Sequence, residues 1–181
     1  GSLAGAVQVN DSGAPLDFDT LLVNGTAGAD AVVLGAGLIT RGAETVSYQG
    51  IEELTLDAGG GDDTITVNGT DVTTTILGGD GDDHFIVNAN GPFLLTLDGE
   101  EGSDLYEINL GALAGPVDVD DTGTAGTDTL LLNGTPFDDV IILTDTSISG
   151  LGDGSPFDLT FSGIEVLAVD AKAGDDVVDG S

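Results

Sequence analysis

The segment Gly78-Gly79-Asp80-Gly81-Asp82-Asp83-His84-Phe85-Ile86 joins a glycine- and aspartate-rich turn to an apolar run. Glycine and aspartate favour tight corners, and a short run of aromatic and β-branched residues after a corner predicts a β-strand. The segment fits the nonapeptide pattern G-G-x-G-x-D-x-U-x, in which U is a large apolar residue and the final Asp is Asp83. It therefore predicts an architecture of repeating turns and strands.

The same acidic turn recurs in degenerate form, ending at Asp63, Asp104, Asp128 and Asp176. From Asp63 to Asp128 these aspartates follow one another at a nearly constant spacing that lengthens slightly along the chain. A second, less acidic turn lies within each spacing, so every period holds two short strands and two corners. The pattern predicts an all-β chain, a parallel β-solenoid with coils of about 20–24 residues. Predicted strands include residues 64–67, 85–87, 94–97 and 140–143, and no stretch has the sustained period of a helix.

A longer repeat contains the short one. The sequence DTLLVNGT at positions 19–26 returns almost unchanged as DTLLLNGT at positions 128–135. The sequence IEELTLDA at positions 51–58 is echoed, at a slightly larger offset, by IEVLAVDA at positions 164–171. The chain therefore contains a superrepeat of about 110 residues.

These two periods define the expected domain organisation. We expect one continuous β-solenoid segment over residues 1–181, with a first superrepeat at 1–110 and a partial second superrepeat at 111–181. A unit of this size also fits an alternative architecture, tandem immunoglobulin- or cadherin-like β-sandwiches. Against the alternative, acidic turns recur inside one unit at short spacing.

The charge balance restricts the classes of partner. The 181 residues include 33 Asp or Glu but only two cationic side chains, Arg41 and Lys172, for a formal net charge of -31. Such a chain repels nucleic acids and anionic membranes, and it has no apolar stretch near the length of a membrane span, so we expect no nucleic-acid partner and no membrane insertion. Its 40% of hydrophobic residues allows a folded core. The acids comprise 26 Asp and 7 Glu, a bias that suits turns and hard-cation sites.

The acidic turns resemble those of the calcium-binding RTX (repeat-in-toxin) parallel β-roll family, found in large bacterial surface or secreted repeat proteins. The resemblance implies glycine-rich turns that stack along the edge of a roll and hold Ca²⁺ through Asp carboxylates and turn carbonyls. By similarity Asp83 is the final Asp of its motif, and the turns at Asp63, Asp104, Asp128 and Asp176 are in the same place. The coil is longer than two tandem nonapeptides, and acidic turns dominate one edge. The implied metal ligands are Asp62, Asp63, Asp80, Asp82, Asp83, Asp98, Asp104, Asp128, Asp175 and Asp176.

Elementary electrostatics supports the same prediction. Calcium takes six to eight oxygen ligands, and stacked carboxylates about 5 Å apart repel one another by roughly 1 kcal/mol or more. Without cations the acidic edge would be destabilised, so we expect calcium binding to be coupled to folding. The alternative is that Asp and Gly are simply good turn formers. The run at 118–123 imitates the opening of an EF-hand loop, but the twelfth position is Thr129 and not the required Glu.

The sequence offers little for catalysis. His84 is the only histidine and there is no cysteine, so no nucleophile and base pair can be assembled, and we expect no enzyme activity. The sequons at Asn24, Asn68 and Asn133 could carry glycans, although Asn-Gly is also a favoured corner.

We therefore expect a non-catalytic structural segment of an extracellular or cell-surface repeat protein, such as an adhesin stalk, a fibre or a surface-layer component. Calcium would rigidify it, and it would associate end to end with copies of itself or continue into further repeats. One alternative is a carbohydrate- or ice-binding solenoid module. Another is the calcium-folding C-terminal module of a secreted enzyme.

Overall fold

The computed structural model describes residues 6–11, 17–152 and 154–180. Within these ranges the chain is built from β-strands and turns and contains no helix. The predicted all-β class is therefore confirmed. No membrane-spanning helix is found among these residues.

Eighteen strands lie in the described part of the chain, and most are short. The predicted strands at 64–67 and 140–143 have the predicted bounds, while the one at 85–87 begins one residue earlier and the one at 94–97 begins one residue later and extends to Glu101. The strands are β1 (Ala6–Asn10), β2 (Thr20–Thr26), β3 (Ala31–Gly35), β4 (Leu38–Arg41), β5 (Glu44–Gln49), β6 (Glu53–Gly60), β7 (Thr64–Val67), β8 (Thr73–Asp80), β9 (His84–Val87), β10 (Leu95–Glu101), β11 (Leu105–Asn109), β12 (Val117–Asp120), β13 (Thr129–Asn133), β14 (Val140–Leu143), β15 (Ser147–Gly152), β16 (Ser155–Ser162), β17 (Val166–Asp170) and β18 (Val177–Gly180).

The strands form two mixed sheets of nine strands each. The first sheet has the order β1-β5-β4-β3-β7-β9-β11-β13-β17, and the second has the order β18-β14-β15-β16-β12-β10-β8-β6-β2. From β6 to β13 the chain alternates between the two sheets, so each strand pairs in parallel with the strand two places further along the chain. In the first sheet Thr64 lies opposite His84, His84 opposite Leu105, and Leu105 opposite Thr129. These pairings reproduce the spacing of the acidic turns, because each of these residues directly follows a turn aspartate.

The core lies between the two sheets and follows from the alternation of apolar and polar residues along each strand. In the first sheet Ile65, Phe85, Tyr106 and Leu130 occupy successive register positions and are fully buried. The rings of Phe85 and Tyr106 stack with their centroids 4.9 Å apart. Each inward column is therefore continued by the neighbouring strands of its sheet and joins the other sheet in one core, which the stacking of strands extends.

Two antiparallel meanders interrupt the regular pairing. Strands β3, β4 and β5 form one meander, and β14, β15 and β16 form the other. The meanders are equivalent in the superrepeat, yet the first lies in the first sheet and the second in the second sheet. The chain crosses between the sheets an odd number of times from a strand of the first superrepeat to the equivalent strand of the second. Equivalent strands therefore lie in different sheets, as β2 and β13 also do. The short period alone does not predict these insertions.

Candidate metal centre

A file of buried aspartates runs along the turns that lead from the second sheet into the first. Asp63, Asp83, Asp104 and Asp128 immediately precede β7, β9, β11 and β13, and at most 5% of each residue is exposed. The backbone N–H of Asp63 donates to Asp83 Oδ1 at 2.7 Å, and that of Asp83 to Asp104 Oδ1 at 2.7 Å. The N–H of Asp104 donates to Asp128 Oδ1 at 2.8 Å. We call these four residues the aspartate ladder.

Glycines make room for the ladder. Gly78 and Gly99 lie where a Cβ would overlap Oδ2 of Asp83 and Oδ2 of Asp104, respectively. Gly81 has a φ of 135°, and a Cβ there would also collide with the backbone of Gly61 in the neighbouring turn. The glycines of the nonapeptide therefore serve two purposes, the left-handed backbone of the corner and the space for an inward-pointing carboxylate.

The second carboxylate oxygen of three ladder residues has no hydrogen-bond partner. Oδ2 of Asp63, Asp83 and Asp104 is buried and unpartnered. The pKa of Asp83 is raised to about 6 and that of Asp104 to about 7, mainly by burial and also by the charges of neighbouring carboxylates, while the backbone N–H at Oδ1 acts in the opposite sense. A buried anion of this kind favours a bound proton or a bound cation.

Three aspartates converge at one end of the ladder. Asp104, Asp121 and Asp128 are all buried, and each offers a carboxylate oxygen within 4.8 Å of the others. We call this group the three-aspartate centre. The unpartnered Oδ2 of Asp104 lies beside Gly99 and the Tyr106 hydroxyl, on the side of the ladder that Asp121 occupies.

Tyr106 fixes the position of Asp121. Its hydroxyl donates to Asp121 Oδ2 at 2.6 Å and accepts the N–H of Gly99 at 2.5 Å. The Gly123 N–H donates to Asp121 Oδ1 at 2.9 Å. Burial and the neighbouring carboxylates raise the pKa of the Tyr106 phenol well above its ordinary value, so the hydroxyl remains a donor at neutral pH.

The electrostatics of the centre favours a hard cation. Burial raises the pKa of Asp121 and of Asp128, and the nearby carboxylate of Glu165 raises both further. Glu165 Oε2 accepts the N–H of Asp128 at 2.8 Å. Carboxylate oxygens are the ligands that Ca²⁺, Mg²⁺ and Mn²⁺ prefer, so the residues present fit a divalent ion of this class.

Other predicted ligands lie outside the centre. Asp62 and Asp82 directly precede the ladder residues Asp63 and Asp83 and are exposed. The Asp82 N–H donates to Asp62 Oδ1 at 3.2 Å. Asp80 is exposed, and Asp98 accepts the Thr122 N–H at 3.0 Å. Of the predicted ligands, Asp104 and Asp128 therefore belong to the three-aspartate centre, whereas Asp62, Asp80, Asp82 and Asp98 do not.

Asp175 and Asp176 lie in a different kind of turn. They precede β18 of the second sheet, so their turn leads from the first sheet into the second. There the Asp139 N–H donates to Asp176 Oδ1 at 2.9 Å, and the Asp175 N–H donates to Asp138 Oδ1 at 2.9 Å. The ladder geometry is thus repeated in the second superrepeat, but away from the ladder of the first.

Sequence reasoning missed Asp121. It lies in the run at 118–123 that imitates an EF-hand opening, and no nonapeptide ends there. The signal that could have found it is positional, because extending the register of β8, β10 and β12 places Asp121 where the two preceding turns have Gly78 and Gly99. An aspartate at a position otherwise held by glycine adds a carboxylate to the interior.

Asparagines form a matching file at the far ends of the first-sheet strands. Asn88 Nδ2 donates to Asn68 Oδ1 at 2.9 Å, and Asn109 Nδ2 donates to Asn88 Oδ1 at 3.0 Å. Asn133 Nδ2 donates to Asn109 Oδ1 at 3.0 Å, and only 6% of Asn133 is exposed. At Asn133 the amide of the sequon is therefore engaged in the structure of a corner.

Comparisons with known proteins do not assign a family. No protein-family model matches the chain, and no curated protein or solved structure matches it significantly. The interpretation of the centre therefore rests on the chain's own residues: three buried carboxylates, an unpartnered oxygen and a tyrosine that positions one of the acids.

Proposed function

We propose that the chain is a non-catalytic structural segment of an extracellular repeat protein, a parallel β-solenoid that calcium folds and rigidifies. The observation that carries the proposal is the aspartate ladder with its unpartnered oxygens, which ends in the three-aspartate centre. Buried carboxylates of this kind destabilise a metal-free fold, so a bound cation would stabilise the folded state, by an amount that grows with the logarithm of the ratio of its concentration to its dissociation constant.

The strand order supports the solenoid. Successive strands from β6 to β13 alternate between two sheets, pair in parallel, and repeat at the spacing of the acidic turns. Each pair of strands with its two turns then makes one coil, and the two meanders are insertions into that pattern. Because each coil buries its apolar face only against its neighbours, the arrangement suits a rigid spacer extended by adding repeats.

The charge distribution supports calcium. Arg41 is paired with Asp30 and Glu44, with N to O distances of 3.1 Å to Asp30 and 2.9 Å to Glu44, and of the ladder residues it lies near Asp63, whose pKa its charge lowers. Counter-charge at Asp83, Asp104 and Asp128 therefore has to come from solution. Calcium accepts irregular sets of six to eight oxygens, whereas magnesium demands octahedral geometry and dehydrates reluctantly, so a buried site made of protein oxygens favours calcium.

The extracellular assignment follows from the ion and the repeat. Extracellular modules bind calcium with dissociation constants of about 10⁻⁴–10⁻³ M, a weaker affinity than that of cytosolic buffers and sensors. The tandem superrepeat and the resemblance to the RTX β-roll fit an adhesin stalk, a fibre or a surface-layer component. End-to-end partners would be further repeats or copies of the chain. A calcium-folding module of a secreted enzyme uses the same chemistry and differs only in what it is joined to.

One observation favours a second candidate function, binding to carbohydrate or ice. Thr55, Thr75 and Thr96 occupy successive register positions on the outer face of the second sheet. Leu22 and Asp118 occupy the next positions on either side, so the row is three residues long. Binding to polysaccharide arrays or inhibition of ice recrystallisation, lost on changing Thr75 to Leu, would support this candidate.

Thermal unfolding followed by circular dichroism tests the calcium proposal. The melting temperature should rise steeply when Ca²⁺ is added to metal-free protein and change little with Mg²⁺. The variant Asp121→Asn should lose most of the calcium-dependent increase, whereas the matched control Asp145→Asn, at an exposed residue between β14 and β15, should retain it. Equal stability in chelator and in calcium would show that the acidic turns are only corners.

Terbium provides a local readout at the centre. Tb³⁺ replaces Ca²⁺ in oxygen sites, and Tyr106 contacts Asp121, so excitation of this tyrosine should sensitise the emission of a bound ion. Tyr106→Phe should abolish the sensitised emission, and Tyr48→Phe should preserve it. Emission that depends on Tyr48 and not on Tyr106 would place the ion elsewhere.

A further inference from the structure

The three-aspartate centre lies across the boundary between the two superrepeats. Asp104 belongs to the first superrepeat, at 1–110, whereas Asp121 and Asp128 belong to the second. Strand β11, which begins next to Asp104, pairs with β13, which begins next to Asp128. Each superrepeat therefore supplies only part of the acidic group.

The first superrepeat contains its own copy of the second part. Asp121 and Asp128 correspond to Asp11 and Asp19 when the two superrepeats are aligned. Strand β1 pairs with β5 through Val7 opposite Val46, as β12 pairs with β16 through Val117 opposite Leu159. The repeat therefore holds in the structure as well as in the sequence.

The hydrogen bonding of the second part is also repeated. The Asp19 N–H donates to Glu52 Oε2 at 2.8 Å, as the Asp128 N–H donates to Glu165 Oε2 at 2.8 Å. Partial burial raises the pKa of Asp19, and the charges of Asp11 and Glu52 raise it too, as expected of neighbouring carboxylates. Asp11, Asp19 and Glu52 thus reproduce the arrangement of Asp121, Asp128 and Glu165.

The two acidic groups differ in the strand beside them: among the described strands, β13 has a neighbouring strand on both sides and its equivalent β2 on one side only. Strand β13 lies between β11 and β17, whereas its equivalent β2 is the last strand of the second sheet and pairs only with β6 among the described residues. On the free side of β2 no described strand supplies the counterparts of Asp104 and Tyr106. Residue Leu22 of β2 is 60% exposed at this end of the sheet.

We propose that Asp11, Asp19 and Glu52 form a half-site that binds a divalent cation only when a preceding superrepeat of the same kind places its Asp104 and Tyr106 against β2. The inference rests on the proposed calcium function and extends it to a partner. The cation would then lie at each boundary between superrepeats and join two units that share its ligands.

The observations identify the partner as a unit in covalent tandem. Residues 111–117 read GALAGPV and residues 1–7 read GSLAGAV, so a unit that ends at residue 110 joins residue 1 in the same frame as the natural boundary. A separate folded copy cannot supply Asp104, because its β11 is already covered by β9 and β13. The half-site therefore fits a preceding superrepeat and not a second molecule.

A tandem protein tests the inference. It consists of residues 1–110 fused directly before residues 1–181, and calcium bound at the centres is counted by equilibrium dialysis and by Tyr106-sensitised terbium emission. We expect one sensitised terbium ion for the single chain and two for the tandem. The change Asp11→Asn should leave the count of the single chain unaltered but remove one ion from the tandem when made in its second copy. Asp145→Asn, at an exposed residue between β14 and β15, is the matched control and should remove none.

The outcomes separate this inference from the calcium proposal. If the tandem binds no more sensitised terbium than the single chain, or Asp11→Asn in its second copy removes no ion, the half-site is overturned while the calcium function stands. If Asp11→Asn removes an ion from the single chain, the site does not need a preceding unit and the inference is again wrong. If neither protein binds calcium, the proposed function fails and the half-site fails with it.

Discussion

Asp83 and Asp104, in successive acidic turns, are joined by a hydrogen bond of 2.7 Å from the N–H of Asp83 to Oδ1 of Asp104. The same bond, of the same length, joins Asp63 to Asp83. Each ladder carboxylate is thus fixed by the backbone of the turn before it, while the other oxygen of Asp63, Asp83 and Asp104 is buried without a partner. The ladder therefore orders successive turns at the cost of buried negative charge.

The first prediction concerns pH. The pKa values of Asp83 and Asp104 lie at about 6 and about 7 in the folded chain, above their ordinary value of 3.8, mainly because of burial. A raised folded-state pKa contributes stability that is complete below the unfolded value and is lost as the pH rises through the folded value. Metal-free protein should therefore lose stability between about pH 4 and about pH 7, and should melt at a higher temperature at pH 5 than at pH 8.

A neutral variant isolates the ladder from the general charge of the chain. Asp104→Asn should flatten the dependence of melting temperature on pH, and the exposed Asp62→Asn should leave most of it unchanged. An equal flattening by both variants would assign the effect to overall charge repulsion. Saturating calcium should also reduce the dependence at neutral pH, because the bound ion compensates the ionised carboxylates.

The second prediction separates the hydrogen bond of the ladder from its charge. Asp83→Asn keeps an oxygen for the Asp63 N–H and removes the buried charge, so at pH 7.5 without metal it should be at least as stable as the parent protein. Asp83→Ala leaves that N–H buried without an acceptor and should cost about 1–3 kcal/mol. Urea denaturation measures both. Equal destabilisation by the two variants would contradict the assigned role of the Oδ1 bond.

The third prediction concerns Tyr106. Tyr106→Phe keeps the ring that stacks on Phe85 but leaves Asp121 Oδ2 and the Gly99 N–H without their partner. We expect a loss of about 1–3 kcal/mol in the free energy of unfolding and weaker calcium affinity. The lost Gly99 contact should lower stability equally in chelator and in calcium, whereas the displaced Asp121 should reduce the calcium-dependent stabilisation in addition. Unchanged calcium affinity would show that the tyrosine does not position a ligand.

The fourth prediction uses the difference between the two meanders. Arg41 and Glu44 are paired across β4 and β5, and the equivalent pair across β15 and β16 is Gly150 and Phe157. Beside Arg41 lies a small, mainly apolar cavity, whereas Phe157 is 7% exposed and packs in the core. Glu44→Phe should therefore stabilise the chain only together with Arg41→Gly.

A double-mutant cycle in urea checks this prediction. Each single change should destabilise, because one leaves a large side chain against Arg41 and the other leaves Glu44 without its cation. The double variant should recover at least the parent stability, with a coupling of about 1 kcal/mol or more. Additive effects of the two changes would show that the meanders do not share a common core.

The sequence by itself determined the strands and their spacing. Glycine and aspartate set the corners, β-branched residues set the strands, and the period of the acidic turns became the register of parallel pairing from Thr64 to Thr129. These features are local, because corner conformation and strand preference depend on the residues themselves, and a regular period forces equivalent residues to stack. Asp104 and Asp128 could for that reason be selected in advance.

Only the tertiary structure decided which carboxylates meet. Asp121 joins Asp104 and Asp128 because its turn replaces an interior glycine by an aspartate, while Asp176 is carried to a different turn because the chain changes sheet an odd number of times between equivalent strands. The side on which a carboxylate points, and its burial, depend on the packing of neighbouring turns and not on the residue's own turn. The proposed metal centre is therefore a property of stacking, which the sequence period alone does not specify.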